Sequence, residues 1–218
     1  MIKQLFGFPV YQKNIDPKSY DKSKILDVIL KNYTRSNKRN EWTRLNGLNE
    51  YESNNLHHSL EDENNKNFEK PNYDTLAKIY ENEIKNYFDS LINQPYQFKF
   101  YFVNYTVMKK GSQMMRHIHN NCQFTTIHFL KLDENSKDTT VFHNTNDYAK
   151  FIKNMHPNLY ETLNSNLIEN SWIYKNYKLF TKEDDFFIFP AVTEHSVPIV
   201  HSDKKRITIV TNINIMKN

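Results

Sequence analysis

From residue 97 onward, hydrophobic and polar positions alternate in short runs. "FKFYFVNYTVM" (98–108), "QMMRHIH" (113–119), "FTTIHFLKL" (124–132) and "TTVFH" (139–143) each put apolar side chains on every second residue. So do "WIYKNYKLF" (172–180), "DFFIFP" (185–190), "HSVPIV" (195–200) and "RITIVTNINI" (206–215). A period of two is the mark of a strand with one buried face. Before residue 97 the period is helical. Ile25, Val28, Ile29 and Tyr33 fall on one side of a helix over 19–36, and Leu76, Tyr80, Ile84, Tyr87 and Leu91 on one side of a helix over 72–91. Asn72 or Asp74 can cap the second helix. "LFGFPVY" (5–11) reads as a short strand, 37–72 as a long polar loop around Trp42, and 146–168 as a helical insert.

Eight short strands after a helical lead predict a mainly β (α+β) fold, a double-sheet jelly roll, with the N-terminal helices packed on a sheet. The expected organisation is one domain over 1–218, with strand and helices in 1–96 and the β core in 97–218. Fifteen Phe and fourteen Tyr supply bulk for that core.

Charge narrows the function little. The formal net charge is +4 and there is no polybasic run, so nucleic acid is permitted but not indicated. The single cysteine, Cys122, excludes a disulfide within the chain and has no fixed base beside it. The opening "MIKQLFGFPVYQKNID" lacks the apolar run of a signal peptide, and no stretch has the length of a membrane span. The expected location is the cytoplasm. Lys is the default cation, 24 against 5 Arg, so each Arg carries more information.

The candidate chemistry lies in the strands. His117 and His119 are two residues apart and share a strand face, so both can reach one metal ion. Alone, a His-x-His pair is usually an ordinary polar pair on a solvent face. His195, at the start of a later strand, supplies a third imidazole, and three facial ligands leave positions open for other molecules. Arg206 follows His195 by eleven residues, across the turn "HSDKK". Its fork of N–H donors suits a carboxylate in a way Lys cannot copy. Thr208 shares its face. Tyr105 can donate a hydroxyl to the same carboxylate, Asn104 can line the pocket, and His128 and His143 are further candidates for its wall. His57 and His58 sit in the polar loop and read as solvated.

These blocks resemble a known family. The stretch 98–215 is similar to the core of the Fe(II)/2-oxoglutarate-dependent dioxygenases, in particular the branch of 2OG-Fe(II) oxygenases with a His-x-His motif. The carrying segments are "LFGFPVY" (5–11), Phe102-Val103-Asn104, Gly111, His117-Ile118-His119, "TTIHFL" (125–130), "FPAVTEHSVP" (189–198) and "RITIVTN" (206–212). The resemblance implies a double-stranded β-helix and Fe(II) held by His117, His119 and His195. It implies 2-oxoglutarate as co-substrate, with its far carboxylate on Arg206. It further implies a reaction with dioxygen that releases succinate and CO2 and hydroxylates a substrate, whether a small molecule, a protein side chain or a nucleic acid.

The chain departs from the broad superfamily at His119, where most members carry Asp or Glu. Asp133, Glu134 or Asp138 could fold back as the missing carboxylate. Two other readings stay open at this point: a jelly roll kept as a binding module with a decayed site, and a three-His iron dioxygenase that uses no 2-oxoglutarate. The 37–72 loop and the 146–168 insert are the expected lids. The substrate and the oligomeric state are not readable.

Overall fold

The structure is a computed structural model and describes residues 2–5, 7–36, 56–62, 64–135, 138–145 and 176–216. The expected helical insert at 146–168, Trp42, and residues 172–175 of the fifth strand lie outside them.

The strand pattern folds into two antiparallel sheets. The strands are β1 (Ile2–Leu5), β2 (Phe8–Asn14), β3 (Leu56–His58), β4 (Gln97–Met108), β5 (Met114–His117), β6 (Phe124–Lys131), β7 (Val141–His143), β8 (Asn176–Lys178), β9 (Asp185–Pro190), β10 (His195–Val197) and β11 (Arg206–Met216). The helices are α1 (Lys22–Arg35) and α2 (Asp74–Asp89). Among the described residues, seven strands form the larger sheet in the order β1-β2-β9-β6-β11-β4-β3. Four form the smaller one in the order β5-β10-β7-β8. This is the double-sheet jelly roll anticipated from the alternation, and the double-stranded β-helix that the resemblance implies.

Parity divides the large sheet into two surfaces. On β11, Ile207, Ile209 and Ile213 face the helices, as do Tyr105 and Val107 of β4 and Phe186 and Ile188 of β9. They meet Ile25 and Ile29 of α1 and Leu76, Tyr80, Ile84, Tyr87 and Phe88 of α2. A side chain of this size contributes about 1.5–3 kcal/mol when fully buried. The opposite parity, with Ile127, Phe129, Phe187 and Phe189, faces the small sheet and meets Phe142. That inner surface carries the polar residues discussed below.

Several boundaries differ from expectation for local reasons. "LFGFPVY" is a hairpin, because Gly7 has φ 87°, a left-handed conformation that turns β1 back on β2. Helix α2 stops at Asp89, so Leu91 lies outside it and is exposed, and Phe88 completes the buried face. The Asp74 N–H donates to Asn72 Oδ1 at 2.8 Å. Strand β10 ends at Val197, before Pro198, which has no N–H for the ladder. The 37–72 segment contains a strand, β3, that pairs with Thr106–Met108 of β4. Its residues are buried, which corrects the reading of His57 and His58 as solvated. No helix among the described residues is long and apolar enough to cross a membrane.

Candidate metal centre

Three histidines converge at the mouth of the inner surface. His117 ends β5 and pairs in register with His195, the first residue of β10. His119 lies beyond the end of β5, where its N–H donates to Ala191 O at 3.0 Å. That bond ties the His119 segment to the turn between β9 and β10. One ring nitrogen from each of the three lies within 4.8 Å of the others. The His117 and His195 ring centres are 4.3 Å apart, and the His119 and His195 rings are almost parallel at 5.1 Å.

Backbone acceptors orient two of the rings. His117 Nδ1 is 2.7 Å from Met115 O, and His195 Nδ1 is 2.9 Å from Thr193 O. A carbonyl only accepts, so Nδ1 of each ring carries the proton and Nε2 keeps a lone pair. Thr125 Oγ1 donates to Thr211 O and stands 3.4 Å from His119 Nδ1, which it can hold in the same way. Such partners fix the tautomer of metal-binding histidines. Burial is the first cause that holds all three rings below their ordinary pKa, to about 3 for His119. The neighbouring imidazoles push His119 and His195 further down. All three rings are therefore neutral at pH 7.

His119 Nε2 and His195 Nε2 are 3.2 Å apart. When His119, like His195, carries its proton on Nδ1, two lone pairs face each other across that gap. A shared cation relieves that repulsion. An all-imidazole set suits iron, zinc, copper or nickel rather than magnesium or calcium.

The triad opens into a cavity of about 560 Å³ between the sheets. Asn104 and Thr106 of β4 and Arg206, Thr208, Val210 and Asn212 of β11 line its large-sheet side. Arg206 is buried. Its Nη2 donates to Thr140 Oγ1 at 3.2 Å, its guanidinium lies 4.8 Å from the Phe129 ring centre, and its Nε has no partner among the described residues. Burial lowers its pKa to about 10, with Asp138 acting in the opposite sense, so it stays charged at neutral pH. The Thr208 and Thr106 hydroxyls are 2.7 Å apart. Asn104 Oδ1 is buried without a partner among the described residues.

Three expected pocket residues lie elsewhere. Tyr105 has the parity opposite to Asn104 and Thr106. It faces the helices, where Asn32 Nδ2 donates to its hydroxyl at 3.0 Å. His128 also faces the helices, 2.7 Å from the Tyr80 hydroxyl. His143 is in the small sheet and is held by Asn176 and Ser196, away from the cavity lining. The acidic candidates are used elsewhere too. Asp138 accepts the N–H groups of His201 and Ser202, and Asp133 accepts the Ser202 hydroxyl. Glu134 is exposed in a turn. Among the described residues no carboxylate lines the cavity.

One lining residue was missed. His58 of β3 is buried in the cavity wall beside Thr106. The available signal was its adjacency to His57. Neighbouring strand residues point to opposite faces, so one of a buried pair must face inward.

Residues 103–212, half of the chain, match the family described as "Putative 2OG-Fe(II) oxygenase". No curated protein matches the sequence. The fold is similar to a Trichoplax adhaerens prolyl hydroxylase, solved with a peptide fragment of the hypoxia inducible factor oxygen degradation domain. The TM-score there is 0.53 at 13% identity, over 95% of this chain and 83% of that one. It is also similar to SnoN, a non-heme alpha ketoglutarate dependent epimerase from nogalamycin biosynthesis, with a TM-score of 0.52 at 11% identity, over 95% and 77%. A Burkholderia pseudomallei oxidoreductase of the 2OG-Fe(II) oxygenase family aligns at 10% identity and a TM-score of 0.42. It covers 64% of this chain, which spans only 56% of that protein.

Proposed function

Because this chain belongs to the 2OG-Fe(II) oxygenase family, we propose that it is a non-haem Fe(II)- and 2-oxoglutarate-dependent dioxygenase that hydroxylates a substrate. His117, His119 and His195 hold the iron through Nε2. Arg206 receives the far carboxylate of 2-oxoglutarate, and Thr208 adds its hydroxyl. The observation that carries the reading is the pairing within one cavity of three convergent neutral imidazoles with a buried guanidinium whose Nε has no partner among the described residues.

Among the described residues the cavity wall offers three imidazoles and a guanidinium and no carboxylate, a lining that suits a dianionic co-substrate. Three imidazoles leave the full charge of the ferrous ion unbalanced, and 2-oxoglutarate neutralises it. When bound, iron supplies the activation of dioxygen coupled to oxidative decarboxylation of 2-oxoglutarate. The protein contributes orientation and dryness. Phe129 covers one face of the Arg206 guanidinium, which keeps water off the cation and strengthens its hold on an anion. Thr106 can donate to Thr208 Oγ1, which frees the Thr208 proton for the carboxylate. A cavity of about 560 Å³ takes a five-carbon dicarboxylate with space left for a substrate group.

The test is anaerobic titration of Mn(II)-loaded protein with 2-oxoglutarate, followed by succinate release with Fe(II) in air. Stoichiometric binding that disappears in His195→Ala supports the proposal. Metal binding without any uptake of 2-oxoglutarate defeats it.

A further inference from the structure

We propose that Asn104 and Tyr101 bind the primary substrate, and that the group they take is planar and uncharged and carries an N–H donor, the chemistry of an amide. This deepens the oxygenase reading and rests on it for the place of the co-substrate.

A bulge in β4 makes this wall. Along the ladder with β11, Thr106 stands opposite Thr208 and Asn104 opposite Val210, but Phe102 stands opposite Thr211 and Tyr101 opposite Asn212. Val103 is the extra residue. Neighbours on a regular strand face opposite sides, yet Val103 and Asn104 both line the cavity. Beyond the bulge the parity is reversed. Phe102 turns to the helices, where its ring stacks on Tyr73 with centres 4.3 Å apart. Tyr101 turns to the cavity side, where Asn212 Nδ2 donates to its hydroxyl at 3.5 Å. An unbulged strand would exchange the two, with Tyr101 among the helices and Phe102 over the cavity. Bulges beside active sites re-aim side chains in this way.

The wall lies at the metal end. Arg206 and Asn212 are six residues apart on β11, about 20 Å of strand. The co-substrate, anchored at Arg206 and Thr208, covers only part of that length. Asn212 Oδ1 accepts from Thr125 Oγ1 at 3.3 Å, and the same hydroxyl is 3.4 Å from His119 Nδ1. The surface from Asn104 to Tyr101 is therefore what a second molecule meets beside the triad.

The chemistry of the wall selects the group. Asn104 Oδ1 is buried and has no hydrogen-bond partner among the described residues, which is costly until a donor arrives. An amide oxygen only accepts, so the missing partner brings a proton. Tyr101 is 47% exposed and offers a ring face at the rim. Arg116, the second guanidinium of the lining, is already paired with Glu194. No carboxylate among the described residues lines the cavity to receive an ammonium group. An ionised carboxylate has no donor for Oδ1. An amide meets both needs, with its N–H on Asn104 and a flat face on Tyr101.

The experiment titrates the full chain, loaded with Zn(II) and 2-oxoglutarate, with benzamide, N,N-dimethylbenzamide and benzoate, and follows binding by NMR. The three share a flat ring, and only benzamide has an N–H. Benzamide should shift the signals of Asn104 and Tyr101 and bind about 10-fold more tightly than the other two. Asn104→Leu should weaken benzamide about 10-fold and leave 2-oxoglutarate affinity unchanged. Tyr101→Ala, at an exposed position, tests the same wall if Asn104→Leu fails to fold. It should weaken benzamide about 3- to 10-fold, and Tyr101→Phe should not. An alanine tripeptide blocked at both ends carries its N–H within a main chain. Tighter binding than benzamide identifies a polypeptide substrate, and weaker binding a free amide. Equal affinity for the three ring compounds overturns the proposal. So does the lack of any benzamide binding, or loss of 2-oxoglutarate together with benzamide in Asn104→Leu. If wild type takes up Zn(II) but no 2-oxoglutarate, the oxygenase reading fails, while benzamide against its dimethyl analogue still decides the assignment of this wall.

Discussion

His119 and His195 aim their Nε2 atoms at each other across 3.2 Å, with ring planes only 7° apart. His119 lies in the connection after β5 and His195 opens β10, and the backbone bond from His119 N–H to Ala191 O ties the His119 segment to the turn before β10. The fold itself brings these imidazoles together, so on the proposed reading metal binding should stabilise it. Saturating Mn(II) at a hundred times its dissociation constant should add about 2.7 kcal/mol to unfolding stability. His119→Ala should remove most of that gain, and His119→Asp should retain it. Thermal melts with and without the ion make the comparison. A His119→Ala protein stabilised as much as wild type would mean the third imidazole is not a ligand.

Arg206 is a buried charge with no carboxylate bound to it among the described residues. Such a charge costs stability unless it is compensated, and hydrophobic replacements of similar volume are often neutral or stabilising. Arg206→Met should therefore raise the unfolding free energy of the apo protein by about 1–2 kcal/mol while abolishing 2-oxoglutarate binding. Urea denaturation and calorimetric titration of the same preparation test both halves.

Tyr105 offers the converse control. Its hydroxyl meets Asn32 on the helical side of the sheet. Tyr105→Phe should leave 2-oxoglutarate affinity unchanged and cost about 1 kcal/mol of stability. A fall in affinity without a fall in stability would show that the hydroxyl reaches the cavity.

Acid should weaken the fold through its buried neutral histidines. His128, fully buried and away from the metal site, has its pKa lowered from 6.5 to about 3, first by burial and then by the positive charge of Lys22. The unfolded chain binds a proton below pH 6.5 that the folded chain refuses. The stability contribution is therefore whole above pH 6.5 and is lost progressively as the pH falls toward 3. At pH 5 one such group accounts for about 2 kcal/mol. Replacing it with a group that does not titrate, as in His128→Gln, should make the fall between pH 7 and pH 5 shallower. Denaturant titrations at the two pH values measure the difference.

Most of the β architecture was legible because β11 alternates isoleucine with polar residues and β6 and β9 are short aromatic and β-branched runs. The convergence of the three imidazoles was legible because His117 and His195 end and begin strands and His119 follows at once. What escaped depended on pairing. Tyr105 and Thr106 are neighbours with opposite fates, and only the register that sets Tyr105 against Ile209 and Thr106 against Thr208 decides which one faces the cavity. No local pattern carries that information. His58 escaped because β3 is three residues long, too short to show a period, and lies in a polar stretch. His128 misled because its strand is buried on both faces, so its inward or outward sense could not be read.

The assignment of alternate β11 residues to opposite faces makes the strand intolerant of changes in length. Deleting one residue from within it would send a guanidinium into the aromatic layer beneath the helices and turn an isoleucine toward the imidazoles. Point substitutions at the rim can be absorbed one by one, but a single-codon deletion there would dismantle core and chemistry together. Length variation compatible with this scaffold belongs in its connections, outside the stretch where one strand serves two masters.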